Sequence, residues 1–343
     1  MKKNSVFLLL LVFSVITFFV SCSKKPEILK AFHEDSSDFK TVRIAVQPSA
    51  AFIPIYLVRT NSWLEEELKD KKIKIEWQDF ESGPGISESL ALGKSDIGFL
   101  GDVPTITSLY SSNELEIVGI PASGPDAYAI LVSRDNIIIN STKDLKGMSI
   151  ATVFGSTGHN LIGKILKKEN LEFSDILLIN ISAGAAGGIL ENGGVDAVVL
   201  WEPFVTRLIE NYNARILISG SKTDLRGTNA IIARKNFSSK NPEVINSILT
   251  SFARAVSLLD SISEDELKII SWQFRLTPEQ IKKIIKKYDF PVKIEKQDIE
   301  ALNDTAKFLK SIGVIQREFS VKDYVNDSYY KKSGAEKYLV LDQ

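Results

Sequence analysis

The chain has 343 residues, 44% of them hydrophobic, with 42 basic and 43 acidic side chains and a net charge of −1 at pH 7. Acids and bases are interspersed, which excludes a nucleic-acid surface; the Lys clusters at 69–74 and 281–287 read as solvated faces. Two His and a single Cys leave a poor kit for covalent, acid–base or metal chemistry and exclude an internal disulfide.

Taken in chain order, the first feature is Lys2 and Lys3 ahead of an apolar stretch from Val6 to Val20, broken only by Ser14 and Thr17. A basic start and an apolar core of this length predict a secretion signal over residues 1–22, since a membrane span needs about 20 apolar residues. The stretch ends in FVSC, which resembles the lipobox of bacterial lipoproteins, with Phe19 in place of the usual Leu. That resemblance implies lipidation of Cys22, which would anchor the chain at a membrane surface. Residues 23–40 are polar, with little periodicity, and read as a tether.

From residue 41, β-rich and helical runs alternate. Strands are predicted at 41–46, 72–80, 96–101 and 115–120, with helices after 47, around 86–93 and over 103–111. A second series has strands at 128–133, 148–153, 176–181, 196–201 and 214–219, with helices near 157–168, 184–191 and 203–211. One more strand, 229–234, is followed only by amphipathic helices at 242–260, 263–273, 277–288 and 297–312. This rhythm predicts two α/β lobes, each a mostly parallel sheet flanked by helices, and a helical C-terminal part. Lobe one would hold residues 41–126, lobe two 127–225, and the return to lobe one with the C-terminal helices 226–343.

Ligands in such sheets bind at the carboxyl ends of strands and at helix N-termini, so the candidates are the residues placed there. Gln47 follows the first strand directly. Ser82, Gly83 and Pro84 open a helix and allow close backbone approach, or simply make a turn. Ser156, Thr157 and His159 start another helix, as anion ligands or as its cap. Asp102 and Trp201-Glu202 end late strands in the two halves; each acid would face the cleft or would serve the helix that follows. The sequence has no G-x-S-x-G, H-E-x-x-H, C-x-x-C, P-loop or G-x-G-x-x-G after a strand. Binding without turnover, and without a cofactor or metal, is the reading that follows.

The segments RIAVQPSAAFIPIYL, SGPGISESLALGKSDIGFLGDVP, STKDLKGMSIATVFGSTGH and VDAVVLWEPFV resemble the aliphatic sulfonate, taurine and nitrate group of substrate-binding proteins of ABC importers. The resemblance runs from about residue 41 to 235. It implies a periplasmic-binding-protein-like type II fold with a ligand cleft between the lobes. It also implies an exported, monomeric receptor that passes a small solute to an ABC permease and its ATPase. The family's cleft motifs fall on Gln47, Ser82, Gly83, Pro84, Asp102, Ser156, Thr157, His159, Trp201 and Glu202. Trp201 would cover a carbon chain, and Glu202 would project into the cleft toward the ammonium of an amino-sulfonate such as taurine. Nitrate or a thiamine-precursor pyrimidine, stacked on Trp201 and Phe52, is the alternative solute. An enzyme on the same fold is a further alternative, although related pyrimidine-forming enzymes carry a cysteine-rich motif that is absent here.

Overall fold

Two five-stranded sheets, through the order of their strands, place the functional loops. The computed structural model describes residues 40–339, so the signal segment, Cys22 and all but the last residue of the tether lie outside the described residues. The first sheet contains β1 (Lys40–Val46), β2 (Ile73–Asp79), β3 (Ile97–Leu100) and β4 (Leu115–Gly119). The second contains β5 (Tyr128–Ser133), β6 (Ser149–Thr152), β7 (Leu177–Asn180), β8 (Ala197–Trp201) and β9 (Ala214–Ser219); β10 (Ala230–Arg234) returns to the first. Lys40, assigned to the tether from sequence, begins β1, and its N–H donates to Lys72 O at 2.9 Å.

The strand orders are β2-β1-β3-β10-β4 and β7-β6-β8-β5-β9. In each sheet the fourth strand runs antiparallel to both of its neighbours, while the first three are parallel. That odd strand is in each case the one laid down on arrival from the other lobe: β5 after the outward crossing at 120–127, β10 after the return at 220–229. The crossings are joined to each other by a bridge between Ser123 and Thr228 and by Asn229 N donating to Ala122 O at 2.9 Å. Interior position explains composition. All five residues of β8 (AVVLW) are buried, whereas the edge strand β2 (IKIEWQD) alternates at first, putting Lys74 and Glu76 in water.

The helices of the first half are α1 (Ile53–Thr60), α2 (Trp63–Leu68), α3 (Gly83–Ala91) and α4 (Asp102–Ser111). Those of the second are α5 (Thr157–Lys168), α6 (Ala186–Glu191) and α7 (Phe204–Asn211). The C-terminal part holds α8 (Lys235–Lys240), α9 (Pro242–Ser257), α10 (Glu264–Phe274), α11 (Pro278–Ile285), α12 (Lys296–Ser311) and α13 (Ser328–Ser333). The long helix α9 lies against α1 and α2, and Phe252 on it stacks on Phe99 with ring centres 6.0 Å apart. Phe52 meets the same Phe99 edge-on at 5.7 Å and is fully buried, so it is a core residue and not a wall of the cleft. The helix α12 touches both α4 and α5 and so contacts both lobes.

Under the first sheet, Asp96 ties β1 to β10. Its carboxylate accepts from Arg43 Nε and Nη2 at 3.0 and 2.9 Å and from Arg234 Nη2 at 2.5 Å. Burial alone would raise this carboxyl, but the hydrogen bonds from Arg43 and Arg234 outweigh it and hold it below its ordinary value of 3.8. A lowered folded pKa contributes stability that is complete above the unfolded value and is lost as pH falls through the folded one. Denaturant midpoints should therefore drop as pH falls below 3.8. Asp96→Asn should start less stable and lose less over the same interval; an equally steep acid loss in the variant would refute this role for Asp96.

Candidate functional site

Between the two sheets lies a narrow cavity of about 20 Å3, lined by Gln47, Ser49, Gly83, Gly101, Pro104 and Asn229 from the first lobe and by Tyr128, Ser156, Thr157 and Trp201 from the second. None of these side chains is charged. Three helices start there: α3 at Gly83, α4 just after Gly101, and α5 after Ser156, whose hydroxyl accepts from His159 N as the helix cap. The first N–H groups of a helix have no intrahelical partner, and the dipole puts partial positive charge at that end; at α4, however, the N–H groups of Val103 and Thr105 are already taken by Asp102 Oδ1 and Gly101 O, and Pro104 has none. Around them stand neutral groups. Gln47 Nε2 donates only a long bond to Phe99 O at 3.4 Å. Asn229 Nδ2 donates to Gly227 O at 3.0 Å and Ala122 O at 3.2 Å. Burial pushes the Tyr128 phenol well up, with the nearby Asp102 carboxylate adding to the shift, so its hydroxyl keeps its proton. The indole N–H of Trp201 is buried without a hydrogen-bond partner among the described residues.

Of the ten candidates read from sequence, Gln47, Gly83, Ser156, Thr157 and Trp201 line this cavity together. Ser82 and Pro84 flank it, half-buried, as the residues on either side of Gly83. The other three go elsewhere. Glu202 does not project into the cleft: it is fully buried, and its carboxylate accepts from Thr206 N and Oγ1 at 3.0 and 2.9 Å, capping α7. The same carboxylate pairs with Lys287 Nζ at 2.5 Å. Asp102 does not line the cavity: its Oδ1 accepts from Val103 N at 2.7 Å, at the start of α4, and its Oδ2 accepts from Asn160 Nδ2 at 2.7 Å and Thr305 Oγ1 at 2.8 Å. His159 stacks on Phe154 at 5.3 Å and meets Phe173 and Phe308 edge-on, beside a separate open groove. Burial pushes its imidazole below the ordinary value, so it is an uncharged member of an aromatic cluster.

Ser49, Gly101, Pro104, Tyr128 and Asn229 were not among the candidates. Gly101 and Pro104 bracket the start of α4, at the carboxyl end of β3, where the strand-end rule places ligand contacts. Tyr128 and Asn229 stand at the beginnings of β5 and β10. Because those strands run antiparallel, their beginnings lie beside the carboxyl ends of their neighbours, and Tyr128 is paired in register with Trp201.

Comparison with known proteins shows relatives of this fold. A family model described as NMT1/THI5 like matches residues 49–259. A protein of Bacillus subtilis (strain 168) named for binding aliphatic sulfonates is 28% identical over 300 residues, covering 87% of this chain and 90% of its own. One of the same name from Escherichia coli (strain K12) is 30% identical over 259 residues, 75% of either chain. Among solved structures, the alkanesulfonate-binding protein SsuA from Xanthomonas axonopodis pv. citri bound to MOPS is similar with a TM-score of 0.75 at 26% identity, covering 84% of this chain and 98% of that one.

Proposed function

The chain belongs to the NMT1/THI5-like family, and from that premise we propose that it is an extracytoplasmic solute-binding protein that delivers an aliphatic sulfonate to the permease of an ABC importer. It would act as a monomer held at a membrane by lipid on Cys22, and would bind its solute without transforming it. The observation that carries the reading is a cavity ringed by three helix N-termini and neutral hydrogen-bonding groups, with no charged side chain in its lining. Such a site suits an anion that accepts many hydrogen bonds and is held by dipoles instead of a counter-ion. A sulfonate meets that description, and its oxygens supply acceptors for donors such as the Trp201 indole N–H. The free space of about 20 Å3 in this closed arrangement holds about one water, so a solute with a short carbon chain enters only with the lobes apart. Trp201 and Tyr128 offer aromatic surface to that chain.

The placement of Glu202 changes the ligand expected from sequence. Its carboxylate is taken by Lys287 and Thr206, so the ammonium of taurine gains no partner. Calorimetry on the chain from Ser23 onward should show one ethanesulfonate per chain and taurine binding no tighter. Glu202→Gln should weaken both by the same factor. A loss confined to taurine would restore the amine-partner role, and binding of nitrate or an aminopyrimidine without any sulfonate would overturn the ligand assignment.

A further inference from the structure

The strands β3 and β8 are the central strands of their sheets, and each is followed by a buried acid, Asp102 at 2% exposure and Glu202 at 0%. Next to each acid stands a residue that lines the cavity: Gly101 before Asp102, Trp201 before Glu202. Each acid is then held by the opposite side of the cleft. Asp102, from the first lobe, accepts from Asn160 on α5 of the second, while Thr305 of α12 donates to the same oxygen. Asn160 Nδ2 also reaches Thr305 Oγ1 at 3.2 Å, closing a triangle of three buried side chains. Glu202, from the second lobe, pairs with Lys287, which follows α11; that helix packs on the Ala50–Phe52 turn of the first lobe. The backbone repeats the link, with Ala50 N donating to Glu202 O at 3.0 Å. One turn beyond Asn160, Lys164 pairs with Asp304 of α12.

We propose that Asp102 and Glu202 are positioning residues, a pair of interlobe latches flanking the cavity, and that Asn160 is the partner through which the first of them acts; the effect on solute rests on the solute-binding reading above. The latches hold Ser156 and Thr157 of α5, and Trp201, against the loops of the first lobe, so that the cavity is complete only while they are made. When the lobes part, water replaces these partners, and the net cost of breaking a latch is therefore modest. An equilibrium balanced in that way is one that a solute contacting both lobes can tip.

Reversing the polarity of one latch tests this. Asn160→Asp sets two carboxylates against each other. Combined with Asp102→Asn, it restores an amide–carboxylate pair that Thr305 can still join, because a hydroxyl both donates and accepts. Cys22 is the only cysteine, so in a Cys22→Ser background, spin labels at Glu88→Cys and Glu191→Cys report the interlobe distance, with and without ethanesulfonate. Asn160→Asp should shift population to longer distances and speed ethanesulfonate release about 10- to 100-fold, the scale of a hydrogen bond to a charged group. The swapped pair should return both readouts toward wild type at an unchanged melting temperature. Glu202→Gln, which keeps Thr206 as a partner, tests the other flank by the same measurements should Asn160→Asp not fold. Distances unchanged in the single variants, or a folded swapped pair no better than Asn160→Asp, would overturn the proposal. If the wild-type chain binds no sulfonate, the solute reading falls, and the closed population and its loss in the single variants still decide the latch.

Discussion

Gly101→Ala should weaken solute binding about a hundredfold while leaving both lobes folded. A Cβ at this position would stand 2.6 Å from Thr157 Oγ1, closer than real contacts allow. Gly101 belongs to the first lobe and Thr157 to the second, so the clash lies across the cleft and not within a core. The backbone itself accepts alanine, since φ is −71° and ψ is 176°, ordinary extended values. Relief comes either from rotation of the Thr157 side chain, which removes its hydroxyl from the cavity, or from lobes that stop short of closing. Both outcomes damage the same site. Overpacking of this kind costs about 1–3 kcal/mol, and the upper end corresponds to about a hundredfold in affinity. Replacing Gly by Ala at a helix N-cap costs about 1 kcal/mol or less, so the melting temperature should move little. Calorimetry and a melt on the same sample separate the two effects. Wild-type affinity in the folded variant would show that the lobes do not meet at this point.

The contrast between Gly101 and Asp102 shows where sequence reasoning stops. A run of apolar, β-branched residues ending at a Gly, a polar side chain or a helix cap marks a strand end, which is why Gln47, Ser156, Thr157 and Trp201 were legible. Whether an acid at such an end faces the cleft depends on partners elsewhere in the chain. The side-chain partners of Asp102 lie 58 and 203 positions away, and the Lys287 partner of Glu202 lies 85 away. No local pattern encodes them. Strand direction is equally silent, because alternation of apolar residues is the same read forward or backward. The two antiparallel strands therefore hid Tyr128 and Asn229, which stand at their starts. The helices α8 (KNFSSK) and α13 (SYYKKS) went unread for another reason. Apart from two Lys in each, their residues have weak helix propensity, and each is fixed by one buried aromatic side chain, Phe237 or Tyr329. Where local preference and packing agree, as over Thr157–Lys168, the sequence-based helix coincides with the observed one.

Gly227→Ala should destabilise the chain by about 2–5 kcal/mol and weaken solute binding as well. Gly227 lies in the return crossing with φ at +65°, a conformation that costs an L-residue about 1–2 kcal/mol. Its absent Cβ would also fall 2.8 Å from Gly124 O and 2.6 Å from Tyr128 Cε2. Gly124 belongs to the outward crossing, so the two segments that join the lobes are packed backbone against backbone. A carbonyl oxygen cannot rotate away as a side chain can, and moving either crossing strains the bridge between Ser123 and Thr228. This second cost is of the overpacking kind, about 1–3 kcal/mol. The damage reaches the cavity directly, because Asn229 donates to Gly227 O and Tyr128 is the ring that is struck. Gly184→Ala is the control, with nothing within 4 Å of its added methyl and no left-handed backbone to strain. Denaturant unfolding should separate the two variants clearly. A Gly227→Ala chain as stable as Gly184→Ala would mean that the crossings yield to each other, and the lobes would then be joined by a looser hinge than their shared hydrogen bonds imply.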